Sequence, residues 1–141
     1  MSYTTKQQMI DRFGQVELVQ LTDRGADPQG VIDDAVIERA LADADALIDG
    51  YLAGRYATPL SPAPALIVQL AADIARYKLF DDRAPEEVRL RFQDAVRTLE
   101  RLQTGAVTIA APPPAAPISA AGQPKVESQD RLFSRDRMTG F

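Results

Sequence analysis

An all-α fold is what this sequence predicts: a small bundle of about four helices with an extended Pro-rich C-terminal arm. Three observations lead there. Apolar residues recur at three- and four-residue spacing through the long stretches between Asp33 and Leu102. Clusters of Gly and Pro punctuate the chain between those stretches. After Thr104 the composition shifts to Pro and Ala, with too few large apolar groups for a core. The division that follows is a helical domain over residues 1–106 and an arm over residues 107–141 that ends in a docking segment.

Taken in order, Thr4 and Thr5 are placed to cap a short helix over "KQQMIDRF", and Gly14 to end it in the left-handed conformation. "VELVQLTD" follows as a second short helical piece, and the polar "TDRGADPQG" reads as a loop. A long helix starts at Asp33 or Asp34, where acidic residues favour the positive end of the helix dipole. Ile37, Leu41, Ala44, Ile48 and Tyr51/Leu52 mark its apolar stripe, and it runs to about Gly54, some ~33 Å at the helical rise. Its opposite face carries Glu38, Asp43, Asp45 and Asp49, which reads as a solvated side. Pro59, Pro62 and Pro64 make "TPLSPAP" a stiff connection. The next helix, about Ala65 to Phe80, is the most apolar and so belongs at the centre. In "DDRAPEE" Pro85 is placed at a first helical position; Val88, Phe92, Ala95, Val96, Leu99 and Leu102 then make a stripe that Gly105 stops. In the tail only "VTI" hints at extended structure. The 31 residues from Ala111, drawn out as polyproline, span up to about 95 Å.

Composition removes whole classes of chemistry. The chain has 141 residues and contains no Cys, His or Trp, so thiolate nucleophiles, disulfides, imidazole bases and the commonest zinc ligands are absent. No catalytic constellation and no cofactor is expected, and a carboxylate-based enzyme would need a metal-binding cluster of Asp and Glu. "DRGADPQGVIDD" is a poor calcium loop, with Gly25 at its third position, Pro28 at its sixth and Asp34 at its twelfth; a loop and helix cap is the better reading. A net charge of −4 argues against a free-standing nucleic-acid binder. Lys6, Lys78 and Lys125 are the only lysines among 16 cations, and the Arg excess suits geometrically fixed ion pairs at interfaces. The N-terminus lacks a signal-peptide pattern and no window approaches a membrane span, so folding in the cytoplasm and no membrane partner are expected.

Two Arg-Tyr pairs stand out in a chain with few aromatics: Arg55-Tyr56 and Arg76-Tyr77. Both residue types bury an apolar body while a polar tip finds a partner, so packing between helices or between subunits accounts for them without a chemical site. Arg76 follows Asp73 by three residues, and Arg55 follows Asp49, so ion pairs within or between chains are available. Arg83 joins these as an interface candidate. The terminal "RLFSRDRMTGF" sets Leu132, Phe133, Met138 and Phe141 among Arg131, Arg135 and Arg137, beyond a linker that offers them no local shelter. Aromatic and Arg residues anchor interfaces, so this segment is expected to dock on a partner.

The runs "LTDRGAD", "VIERALADADALIDGYLAGRYATPL", "QLAADIARYKLFDDR" and "RLFSRDRMTGF", in this order, resemble the small virion proteins of Mu-like phages and prophages, grouped with head-completion or head-tail connector proteins. The resemblance spans nearly the whole chain and is most specific from "IDGYLAGRYATPL" to "ADIARYKLFDDR". It implies a helical adaptor that forms a homo-oligomeric ring, typically of twelve copies, beneath the portal protein. That ring extends the DNA channel, lets packaged DNA pass without specific binding, and offers a platform to a stopper or tail-completion protein. Location in the virion neck after assembly in the host cytoplasm is implied as well. Relatives carry a more Asp- and Gly-rich loop where this chain has "DRGADPQG". A stopper or other head-completion protein of the same conduit is the neighbouring reading, and a partner-binding regulator outside any virion is the rival from another class.

Overall fold

The structure, a computed structural model, describes residues 2–115. Five α-helices and one 3-10 turn occupy them, without a strand among the described residues: α1 Lys6–Phe13, α2 Gln15–Thr22, α3 Asp34–Leu52, α4 Ala65–Phe80, the turn Asp81–Arg83, and α5 Glu86–Thr104. The fold is an all-α bundle in which α3, α4 and α5 pack on one another and the short α1–α2 pair lies to one side.

Local chemistry sets the helix ends. Thr5 and Gln8 form a reciprocal capping box on α1, each side chain meeting the other's backbone N–H. Gly14 separates α1 from α2 with φ 90° and ψ 147°, a positive-φ geometry different from the left-handed helical one expected of it. The two short helices are distinct elements, as the sequence separates them, and with the three longer helices they make the five of the bundle. Asp33 caps α3 by accepting from the N–H groups of Ala35 and Val36. That helix stops at Leu52, slightly short of the expected end near Gly54. Pro85 sits one place earlier than expected, at the cap of α5 instead of its first turn, and Gly105 closes α5 in the left-handed conformation at φ 84°.

The expectation that α4 is central holds. Ile67, Leu70, Ala71, Ala72, Ile74, Ala75 and Leu79 are all buried, so nearly every side of the helix meets another element. Facing helices supply Ile37, Ala40, Leu41, Ala44, Ile48 and Leu52 from α3 and Ala95, Leu99 and Leu102 from α5. Small side chains at Ala40, Ala44, Ala71, Ala72 and Ala75 permit close approach of helix axes, while Ile and Leu fill the remaining space. Past Thr104 the chain stays on the body: Val107, Ile109 and Ala111 pack against the core in alternation with exposed Thr108 and Ala110. This is the period-2 pattern of an extended segment lying on a surface.

Candidate functional site

The first Arg-Tyr pair sits just past the end of α3 and grips the beginning of the arm. Tyr56 is buried, and its hydroxyl accepts a hydrogen bond from the backbone N–H of Ile109 at 3.3 Å. Its neighbour Ala57 donates its own N–H to the carbonyl of Pro112 at 2.9 Å. The Arg55 guanidinium lies over Gly105, where a Cβ would come within 2.4 Å of it. Gly105 thus serves twice, as a residue that accepts positive φ and as a flat seat for Arg55. Arg55, Tyr56 and Ala57 together fasten three successive points of the departing chain.

The second pair does something else. Arg76 makes a two-pronged ion pair with Glu17 of α2, Nε to Oε2 at 3.1 Å and a terminal nitrogen to Oε1 at 2.7 Å. The two side chains are 15% and 26% exposed, so this is a partly desolvated, geometrically fixed contact. The guanidinium also stands over the Phe13 ring, 4.5 Å from its centroid, and near Phe80. Asp73, the partner that sequence spacing offered, does not pair with it. Tyr77 stacks on Phe92 of α5, ring centroids 4.0 Å apart and planes within 9°. Arg76 and Tyr77 therefore tie α4 to α2 and α5 within one chain. Arg83 ends the 3-10 turn, exposed, with no ion pair among the described residues. The candidates Arg131, Leu132, Phe133, Arg135, Arg137, Met138 and Phe141 lie outside the described residues.

Several residues that carry structure at the chain ends escaped the sequence reading. Tyr3 is buried: its N–H donates to Asp45 at 3.0 Å, its hydroxyl donates to Asp49, and the same hydroxyl accepts from the N–H of Leu60 at 2.9 Å. Asp45 and Asp49 are one helical turn apart and hold this anchor, so they are not the solvated acidic side expected of them. Burial first, and then the hydrogen bond to Asp49, push the Tyr3 phenol up to about 12. In the loop after α2, Asp23 accepts from the N–H groups of Gln29 and Gly30 at 3.2 and 2.7 Å. Both oxygens close the loop, and no cluster suited to a metal occurs among the described residues.

One open groove of about 500 Å³ runs between the end of α1, the first half of α4 and the middle of α5. Phe13, Leu66, Leu70 and Ala95 are its apolar lining, and Arg12, Asp73, Arg91 and Asp94 its charged lining. Burial raises the Asp73 carboxyl above its ordinary range, against the pull of Arg91, Arg12 and Arg76.

Fold and contacts together define a class: a small helical body whose final described residues are strapped to its surface ahead of a proline-rich extension. The sequence profile of the family described as "Bacteriophage Mu, Gp36" matches residues 3–128. The chain is 38% identical over 105 residues to gene product J of Escherichia phage Mu, an alignment covering 74% of each chain. It is 33% identical over 110 residues to the Mu-like prophage FluMu protein gp36 of Haemophilus influenzae, covering 78% of each. This chain belongs to that Mu-like phage family.

Proposed function

We propose that the chain is a structural head-tail connector protein of a Mu-like particle. It assembles as a ring of copies, twelve in the form the resemblance implies, beneath the portal protein. There it extends the DNA channel and seats a stopper or tail-completion protein, acting by assembly without catalysis or cofactor. The observation that carries this reading is the fastening of the arm. A body that secures its own chain through Pro112 and then continues into a long proline-rich segment ending in Leu132, Phe133, Met138 and Phe141 is built to reach a neighbour. Membership of a phage family supplies the setting, and a net charge of −4 suits a conduit through which DNA slides without sticking. No helix among the described residues is long and apolar enough to cross a membrane, in keeping with a partner set made of proteins.

The test is the composition and shape of purified particles. Stoichiometric amounts of the chain, with density for it directly below the portal, are expected; its absence from particles points to the regulator reading, and a position farther from the portal to a stopper. Deleting Ser128 to Phe141 is expected to lower attachment of portal or tail, and unchanged assembly in that variant removes the docking role of the arm.

A further inference from the structure

The groove between α1, α4 and α5 sets the apolar Phe13, Leu66 and Leu70 among polar groups of both charge signs. Arg91 is already engaged by Glu87 at 2.9 Å, whereas Arg12 and Asp73 form no ion pair among the described residues. Asp73 is half-buried and feels Arg91, Arg12 and Arg76 only from beyond ion-pair distance, so its oxygens stay open to a guanidinium that reaches bonding distance. Its burial, which holds the Asp73 carboxyl above the ordinary range, is the same signal seen electrostatically.

The chain itself contains a ligand of matching character. The segment from Arg131 to Phe141 offers Leu132, Phe133 and Met138 to the apolar side chains of the groove, Arg131, Arg135 and Arg137 to Asp73, and Asp136 to Arg12. Between Ala115, the last described residue, and Arg131 the chain has a reach of up to about 50 Å drawn out as polyproline, longer than the ~29 Å length of α5.

We propose that this groove is the seat for residues 131–141 of a second copy, with Asp73 receiving an arginine of the incoming segment. The proposal rests on the reading above that copies of the chain assemble through their arms, and it makes the contact heterologous: the groove of one copy takes the arm of the next. Such contacts propagate around a ring until it closes.

The absence of Cys from the sequence makes a direct test available. Two full-length variants, Gln69→Cys on α4 at the groove and Ser134→Cys in the terminal segment, are mixed and oxidised over a series of rising chain concentrations. A disulfide-linked heterodimer is expected. Adding Asp73→Asn to the Gln69→Cys chain, with helix content by circular dichroism as the folding control, is expected to cut the trapped fraction about fivefold or more. The proposal is overturned if no heterodimer forms. It is equally overturned if a chain carrying both cysteines closes only on itself, if trapping needs added portal protein, or if Asp73→Asn leaves the yield unchanged. Scoring the same unmodified chain for presence in particles separates the two levels: chain present without trapping removes the groove as the seat, and trapping with no chain in particles removes the connector reading.

Discussion

Arg55-Tyr56 and Arg76-Tyr77 are the same dipeptide, and the molecule uses them in different ways. The second lies in mid-helix, on the central element, where each side chain reaches a different neighbouring helix: Arg76 meets Glu17 of α2, and Tyr77 meets Phe92 of α5. The first lies just beyond a helix end, where the Tyr56 hydroxyl accepts from the Ile109 N–H and the Ala57 N–H, no longer within the helix, donates to the Pro112 carbonyl. A dipeptide therefore has no fixed meaning. Burial on a central helix turns it into a cross-brace, and placement after a helix turns it into a clasp.

Substitutions can break or sharpen this contrast. The largest effect is expected from Arg76→Ala, which leaves the partly buried Glu17 without its partner and removes the cover over Phe13; a loss of about 3 kcal/mol in chemical unfolding is expected. A loss under about 1 kcal/mol would mean that the cross-brace is ornamental. Next comes Tyr3→Phe, at about 2 kcal/mol, since Leu60 loses an acceptor and Asp49 a donor. This variant also carries a pH signature. The folded-state phenol is raised to about 12 from 10, so its contribution is complete below pH 10 and fades as the pH climbs through 12. Melting curves of the unmodified chain should therefore fall more steeply over that interval than those of Tyr3→Phe.

Smaller and more local is Tyr56→Phe, about 1 kcal/mol or less, because the bond it removes is long and neutral. Its clearest readout is faster hydrogen exchange at the Ile109 amide, with the amides of α4 unchanged. If protection is lost throughout the bundle instead, the clasp belongs to the core and the contrast fails. Asp73→Asn is the smallest and has the opposite sign. An acid whose folded pKa lies above its unfolded one is most favourable below the unfolded value and loses that advantage as the pH rises. The amide is thus expected to match or slightly exceed the unmodified chain at neutral pH and to show no gain in acid.

Most of the helical scaffold was legible because its signals are local. Thr5, Asp33 and Gly105 act within a few residues of the turns they cap, and the nearly all-round apolar character of α4 can be read directly as centrality. Gly14 shows the limit: its residue type predicts positive φ, while the path of α2 decides ψ. The clasp and the N-terminal anchor were harder to see. Tyr3 finds Asp45 and Asp49 at separations of 42 and 46 residues, and carboxylates on the polar side of a helix look alike whether water or a tyrosine covers them. The one available hint was their spacing of four, which aligns both on a single anchor. Arg76 failed in the opposite direction: a nearby Asp73 drew attention in the sequence, yet the guanidinium goes to a residue 59 positions away because that carboxylate permits two parallel bonds.

The alanines where α3 meets α4 carry a mechanical consequence. Ala40, Ala44, Ala71, Ala72 and Ala75 are each buried and have no side-chain torsion that could relax under load. Pressing or twisting the bundle at these points therefore meets side chains with no rotamer to change, and the packed helices are expected to resist as a girder. Compliance in any structure made from such girders has to come from the joints between them.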